Sequence, residues 1–405
     1  MKPFILLFAY LSVAVAEFFY AGSECAVSIA YKNGDLSEPQ PLILTSNWKR
    51  PEFLYPEDDK SVLRIPRGQS IYLACPGKGN YVRNGTRSVA KAVCVRGKMF
   101  NVDGVPRNFS SLNCNYIPRN EAREVNSPCL DQATTTEIGF QVGDVFLPVM
   151  EVCRENKTYS TFYTKFTLTK SIWNSQVGYP RSQIWLTGRH FPDISVQNLY
   201  KFNTQFATIS RILNSTELAK KRMKMSSQFL SRGHLTAKAD YVYGAQHLAT
   251  FWYINAAPQW QSFNGGNWNS LEDSVRMFAS RSGLDLDVYT GVHGQMTMKD
   301  IRGVQQPIYL YANKDGNALP APKFYWKVIY DPNSKKGTAF VGLNDPFIET
   351  ITKDIYICDD ISSKIKWLSW QARNIKKGIS YACEVNEFRR AVQNVPYFKV
   401  TGILA

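Results

Sequence analysis

Hydrolysis of a phosphodiester bond needs a base that takes a proton from water, a divalent cation on the scissile phosphate, and positive groups that meet the developing charge. The window from Ser231 to Arg276 holds a candidate for each. His234, after Arg232 and Gly233, has an unperturbed pKa near neutrality and can accept a proton from water at physiological pH. Gly233 offers a close approach for substrate or a backbone angle closed to other residues. Asn264 supplies a neutral oxygen of the kind magnesium prefers, and one protein ligand suffices when phosphate and water fill the other positions. Residues Trp268 to Arg276 are helix-compatible, which sets Glu272 and Arg276 four apart on one face. Glu272 can then hold metal-bound water while Arg276 or Arg232 meets the phosphate. Each residue also has an ordinary structural reading: Glu272 and Arg276 as a surface ion pair, His234 as a satisfied core histidine, Trp268 as packing that fixes the helix.

The spacing of the set carries more than its members. Arg232-Gly233-His234 is followed by Asn255 ahead of Pro258-Gln259, then Asn264 with Trp268, then Leu271-Glu272 with Arg276 four residues on. In this string the sequence closely resembles the DNA/RNA non-specific endonucleases of the ββα-metal finger type. Weaker similarity runs through Asp287-Val288-Tyr289-Thr290-Gly291, Pro322-Lys323-Phe324-Tyr325-Trp326-Lys327 and residues 378–396, so it covers roughly residues 135–400. The resemblance implies His234 as general base and Asn264 as direct ligand of Mg2+, with Mn2+ able to substitute. It implies Arg232, Glu272 and Arg276 as phosphate- and water-positioning residues, and Asn255 as a support of the active site. The activity implied is cleavage of DNA and RNA through backbone contacts, with little base preference. One position departs from the pattern: Ser231 stands where bacterial members commonly carry Asp before Arg-Gly-His, and the lost carboxylate leaves the level of activity open.

Those residues need a scaffold. From Cys25 to about Asn126, short apolar stretches such as Ser70–Cys75 and Ala92–Val95 alternate with Gly, Pro, Asn and Asp, which predicts a compact β-rich unit. A polar stretch follows, and a soft boundary falls near residue 130. Beyond it, strands are expected at Gly139–Val142, Phe162–Leu168, Phe324–Tyr330 and Ala339–Leu343. The segment Ser215–Met225, with Lys220, Lys221, Arg222 and Lys224 nearby, reads as a basic helix, either a solvated face or a phosphate contact. A terminal helix with Phe388 and Val392 at i, i+4 closes the core. The fold expected is α+β: a ββα-metal finger nuclease core on a mixed or antiparallel sheet over residues 131–405, preceded by a smaller disulfide-bonded β-rich region over 17–130.

Composition agrees with an exported protein. The 405 residues carry 48 Lys+Arg against 33 Asp+Glu, a formal charge of +15, with 44% hydrophobic residues. That excludes intrinsic disorder as the main state, and no apolar run after the first residues is long enough to span a bilayer. Met1-Lys2 leads into Phe4–Leu11 and then Ala14-Val15-Ala16, the pattern of a signal peptide over 1–16. All eight cysteines lie beyond it. In an oxidising compartment they read as disulfides, and Cys358 with Cys383 is the natural pair because the other six lie far upstream. Cys129 with Cys153 would bridge the boundary. With no C-x-x-C pair, and no zinc spacing around His190, His247 or His293, structural zinc is not expected. Sequons at Asn84, Asn108, Asn156 and Asn214 are candidate glycosylation sites. The cysteine-rich front and the leader look like the secreted arthropod branch of the family, which includes crab and shrimp nucleases and salivary endonucleases of blood-feeding flies. Two other readings use the same charge: a secreted nucleic-acid-binding protein with weak or residual nuclease activity, and a cationic protein that binds heparin-like polyanions.

Overall fold

The computed structural model describes residues 24–405 apart from positions 84, 132 and 315. The candidate signal peptide and the sequon at Asn84 lie outside the described residues. The front of the chain folds as expected into a β unit. Leu42–Leu44, Ser70–Ala74, Val89–Arg96, Met99–Val102 and Val105–Asn108 form one antiparallel sheet, and Glu24–Ser28 pairs with Val62–Pro66 beside it. Along Val89–Arg96 the inward positions are Ala90, Ala92 and Cys94, the period of two that a half-buried strand requires. Disulfides Cys25–Cys94 and Cys75–Cys114 cross-link this unit, a choice that spacing alone had not made.

The rest of the chain is organised by an eight-stranded sheet in which every pairing is antiparallel. Its order runs Ser380–Cys383, Lys336–Leu343, Pro322–Asp331, Leu286–Gln295, Thr161–Leu168, Val145–Arg154, Thr134–Val142 and Glu121–Val125. The last of these precedes residue 130, so the sheet takes its edge strand from the region expected to lie in front of it. Cys129–Cys153 ties that edge inward, and Cys358–Cys383 pairs as expected. The β unit is also bonded into the main body: Asn174 Oδ1 accepts from the Ser61 amide at 2.8 Å, and Gln176 Nε2 donates to the Ile29 carbonyl at 2.7 Å.

The central strand Pro322–Asp331 is buried almost throughout because both faces are covered. Its residues divide by parity. Phe324, Trp326 and Val328 enter one core with Phe388 and Val392 of the C-terminal helix, Val385–Ala391, and its cap. Tyr325 and Ile329 enter the other, with Phe263, Trp268 and Leu271. Lys327 shares the parity of this second face, so a buried ammonium lies on the side where the motif residues fold.

The motif residues form a hairpin and a helix on that face. Strand β1 (Leu230–His234) pairs antiparallel with β2 (Ala256–Trp260), setting His234 opposite Ala256 and Arg232 opposite Pro258. Helix α1 (Asn269–Ser282) follows, turning Leu271, Val275 and Ala279 inward at i, i+4 and i+8. It ends at Gly283, whose φ of 65° takes the left-handed cap that other residues resist. The basic segment is a helix, Thr216–Arg222, capped by the Ser215 hydroxyl on the Leu218 amide. Its Lys220 pairs with Glu217 at 2.8 Å and Lys221 faces solvent, which favours the solvated-face reading.

Candidate active site

His234 ends β1 with its ring held by aromatic groups rather than by hydrogen bonds. Trp185 packs at 4.6 Å between centroids and Phe251 meets it edge-on at 5.2 Å. Nε2 is sealed from solvent and has no protein partner. Burial, then the positive charges of Arg181 and Arg232, push the imidazole down to about 3, so it stays neutral at physiological pH. A core histidine is ordinarily bonded through its ring nitrogens, and here Nε2 has no protein partner.

Asn264 lies where β2 gives way to α1, on a wide π-type turn spanning Asn264–Trp268, a form often found at functional positions. The turn depends on Gly266, whose backbone leaves the helical region; a Cβ there would sit 2.7 Å from the Lys377 carbonyl. Asn267 fixes the turn by donating to the Gln371 and Gly378 carbonyls and accepting from the Gln371 amide. Asn264 Nδ2 donates to Ser231 Oγ at 3.2 Å, and that hydroxyl donates to the Gln259 carbonyl at 2.8 Å. The serine at the departing position thus bridges the hairpin to the asparagine.

One turn into α1, Glu272 belongs to a group of buried charges. Burial and the nearby Asp240 hold its carboxyl well above the usual carboxylate range, against the pull of Lys327 and Arg276. Arg276 does not pair with it as the i, i+4 spacing suggested. Its guanidinium donates to Asp240 and to Asp273, both at 2.6 Å, and Asp240 is only 4% exposed. The guanidinium is taken instead by one buried tertiary carboxylate and by an exposed helical neighbour at i−3, two charge-assisted bonds that leave Glu272 without one. Lys327 donates to Thr290 Oγ1 at 2.7 Å beneath the group.

Asn255 is fully buried and sits outside the cleft lining. Its Oδ1 accepts from the Thr236 amide and its Nδ2 donates to the Thr236 and Thr250 carbonyls, each at 2.9 Å. That clamps the backbone two residues beyond His234 and leaves nothing to touch a substrate, so its place is that of a support. Gly233 also differs from expectation. Its φ is not positive, and a Cβ would lie 2.3 Å from Gln259 Oε1 and 2.7 Å from the Tyr325 hydroxyl. Close packing of the hairpin on the sheet, rather than approach of a substrate, requires glycine there. Trp268 is 1% exposed and packs against Tyr325 at 5.4 Å, a support for the helix.

His234, Asn264, Glu272, Arg232 and Arg276 line one open cleft of about 800 Å³. Arg181, Lys238 and Trp185 line it too, and the sequence had not singled them out. Arg181 and Trp185 come from an irregular segment with no periodicity to mark it; the only signal was a cation close to an aromatic residue. Arg232 is exposed, lies over the Trp185 ring at 5.3 Å and reaches the Tyr253 hydroxyl at 3.3 Å. His247 borders the cleft but is buried, its Nε2 bonded to the Tyr241 carbonyl at 2.9 Å. Among the described residues no three His, Cys, Asp or Glu side chains cluster to hold a metal. A cation in this cleft would rest on Asn264 Oδ1, with Glu272 near, and on water. That donor set fits magnesium, which keeps several waters, and does not fit zinc.

Residues 131–388 match the DNA/RNA non-specific endonuclease family. A salivary endonuclease of Lutzomyia longipalpis is 24% identical over 90% of this chain and 88% of its own length. The salivary protein Tsal2A of Glossina morsitans morsitans is 23% identical over 98% and 99%, and a salivary endonuclease of Culex quinquefasciatus 25% identical over 85% and 80%. Among solved structures, a chain of the EndoG/EndoGI complex aligns over 63% of this chain and 87% of its own, at 17% identity and a TM-score of 0.36. With the motif residues gathered in one cleft and the match spanning most of the sheet that supports them, the chain belongs to the DNA/RNA non-specific endonuclease family.

Proposed function

We propose that this protein is a secreted, magnesium-dependent endonuclease that hydrolyses DNA and RNA backbones with little base preference. The observation that supports this reading is the convergence of His234, Asn264, Glu272 and four cationic side chains on a single cleft. His234 takes a proton from the attacking water. Held neutral in the free protein first by burial and then by Arg181 and Arg232, it becomes more basic to the extent that the phosphate neutralises those guanidinium groups. Arg232, Arg181 and Lys238 bind non-bridging phosphate oxygens, which carry no sequence information. Asn264 Oδ1 would hold the cation, and the Glu272 carboxyl would orient water beside it. When bound, the cation supplies charge stabilisation at the phosphate and at the departing oxygen. Water adds to phosphorus, the bond to the departing oxygen breaks, and that oxygen takes a proton from solvent.

Export is supported by four disulfides, by the leader pattern and by relatives named as salivary proteins. Asn108, Asn156 and Asn214 are exposed and available for glycosylation. No helix among the described residues is long and apolar enough to cross a membrane.

A second reading, a nucleic-acid-binding protein with weak turnover, is favoured by one observation. Ser231 replaces a carboxylate beside the metal position, while Arg276 is committed to Asp240 and Asp273. Incubation with plasmid DNA and with RNA, plus or minus EDTA, beside a His234→Ala variant, separates the two. Metal-dependent nicking that the variant loses supports the endonuclease. Salt-sensitive binding without turnover supports the second reading, and no affinity for either polymer removes both.

A further inference from the structure

One side of the cleft is a stretch of chain without regular structure. Ser175, Val177, Arg181 and Trp185 line the cleft from it, yet between the 3-10 turn Lys170–Asn174 and residue 196 the described residues form no helix or strand. Arg181 is exposed, so where its guanidinium stands depends on what holds the backbone beneath it.

The N-terminal β unit holds it. Ser171 Oγ donates to the Pro56 carbonyl at 2.7 Å. Asn174 Oδ1 accepts from the Ser61 amide at 2.8 Å and from the Ser61 hydroxyl at 3.1 Å, while its Nδ2 donates to the Asp58 carbonyl at 2.7 Å. Gln176 spans two elements, donating to the Ile29 carbonyl and accepting from the Gly244 amide, each at 2.7 Å. The Tyr179 hydroxyl donates to Glu38 at 3.3 Å, and its ring packs on Tyr31 at 5.0 Å. All four side chains are buried, and each has a partner between residues 29 and 61. Paired polar side chains here do what a strand ladder does elsewhere.

The pinned stretch also gathers charge. The Tyr179 carbonyl accepts from Lys238 Nζ, and Arg181 follows two residues on. Burial, then the charge of Arg181, pulls the Lys238 ammonium below its ordinary range, so the two cations feel each other. Like charges held together in the free protein repel, and an anion between them relieves the repulsion. Held in advance, they also lose less freedom on binding than side chains on a loose loop.

We propose that the N-terminal β unit is a splint for polynucleotide binding: through Ser171, Asn174, Gln176 and Tyr179 it keeps Arg181 beside Lys238, where the two receive a backbone phosphate. The four are positioning residues, acting through Arg181 rather than on the substrate. The proposal rests on the reading of the cleft as a polynucleotide site and gives the N-terminal unit a part in it.

A double-mutant cycle on affinity tests it. Asn174→Ala with Tyr179→Phe cuts bonds to the β unit and changes no cleft cation. Binding of a fluorescent DNA duplex to the full-length protein in EDTA, followed by anisotropy across a salt series, should weaken roughly three- to tenfold. The slope of log K against log[salt] should fall by about 0.9, the worth of one phosphate contact. Arg181→Ala should do the same to the parent but cost little more in the splint variant, because both changes remove one interaction. A general loss of stability would make the two penalties additive instead. Parent-like affinity and slope in the splint variant, or an Arg181→Ala penalty as large there as in the parent, overturns the proposal. Should circular dichroism show the double variant unfolded, Tyr179→Phe alone carries the same cycle and is judged by the same two outcomes. A parent protein that binds no polynucleotide overturns the reading of the cleft, and this proposal with it, before any variant is compared.

Discussion

Ser231 Oγ lies 3.2 Å from Asn264 Nδ2 and 2.8 Å from the Gln259 carbonyl oxygen, and the hydroxyl has a single proton. A carbonyl can only accept, so that proton is engaged there and the hydroxyl must accept from the asparagine. The amide is thereby oriented with nitrogen toward Ser231 and oxygen toward the other side. An aspartate at 231 would also accept from Asn264 but could not donate to the carbonyl. Orienting partners of this kind commonly alter metal affinity. Ser231→Ala should therefore raise the Mg2+ concentration for half-maximal cleavage roughly tenfold, with turnover at saturating metal nearly kept. A metal titration of plasmid nicking reads this directly, and an unchanged midpoint would show that Ser231 does not orient the ligand.

Asn264 itself should behave as a ligand and not as a contact to DNA. Asn264→Ala is expected to lose metal-supported cleavage by on the order of 10²–10³-fold. DNA affinity in EDTA, measured by fluorescence anisotropy at fixed salt, should stay close to that of the parent. Full cleavage by the variant would sink the assignment.

The two arginines of the motif should separate by observable. Arg276 is 14% exposed on its side chain and neutralises the buried Asp240, so Arg276→Ala should cost about 3–5 kcal/mol of stability by stranding that carboxylate. Adding Asp240→Asn should recover part of the loss, because the two sites share one interaction. Arg232 is exposed, with one long bond to Tyr253. Arg232→Ala should leave Tm almost unmoved and instead raise KM for DNA and flatten the salt dependence of binding. Thermal melts beside steady-state kinetics distinguish these outcomes.

How far the sequence carried these assignments differs by element. The ββα module was legible because its hairpin and helix are local: Arg232 to Arg276 is one contiguous window, and spacing along it becomes adjacency in space. Strands such as Pro322–Asp331 were legible from their aromatic and β-branched residues. Arg181 and Trp185 were not, since an irregular segment reaches the cleft through tertiary packing that no period encodes, and Lys238, though inside the window, stands on a short 3-10 turn that the motif spacing does not mark. The Glu272–Arg276 pair failed for the same reason, because Asp240 lies 36 residues from Arg276 and was invisible to a helical-face argument. Pairing of Cys25 with Cys94 and of Cys75 with Cys114 depended on sheet register, which Cys358 and Cys383, isolated near the chain end, did not need.

Three buried imidazoles should make the protein sensitive to acid. Burial lowers His190 to about 4 and His247 to about 4, and His234 lies lower still. For a histidine depressed in the folded state, the unfolded chain binds the extra proton between the two pKa values, so stability rises with pH there. The contribution is complete above about pH 6.5 and falls away as pH drops toward 4, at on the order of 1–3 kcal/mol for each ring. Tm should hold between pH 7 and 8 and decline steadily from 6.5 to 4. His190→Gln with His247→Gln should flatten that decline, whereas an unaltered slope would trace it to carboxylates instead.

Trp185 offers the most specific test of how the base is held. Its ring packs on His234 at 4.6 Å and also lies under Arg232 at 5.3 Å, so one side chain orders both the proposed base and the proposed phosphate contact. No hydrogen bond from protein fixes Nε2, which leaves Trp185 and Phe251 as the groups that set the ring's angle and keep water from that edge. Trp185→Phe retains an aromatic face and should keep most of the turnover. Trp185→Ala should lower kcat on the order of 10–100-fold, part of what a positioned general base contributes, and weaken DNA binding in EDTA no more than Arg232→Ala does. A merely structural residue would predict the same fall in activity, so the deciding measurement is the pH profile of kcat/KM. With the ring opened to water, the desolvation that depresses His234 is relieved, and the acid limb should move upward toward the ordinary histidine range in the alanine variant and stay in place in the phenylalanine one.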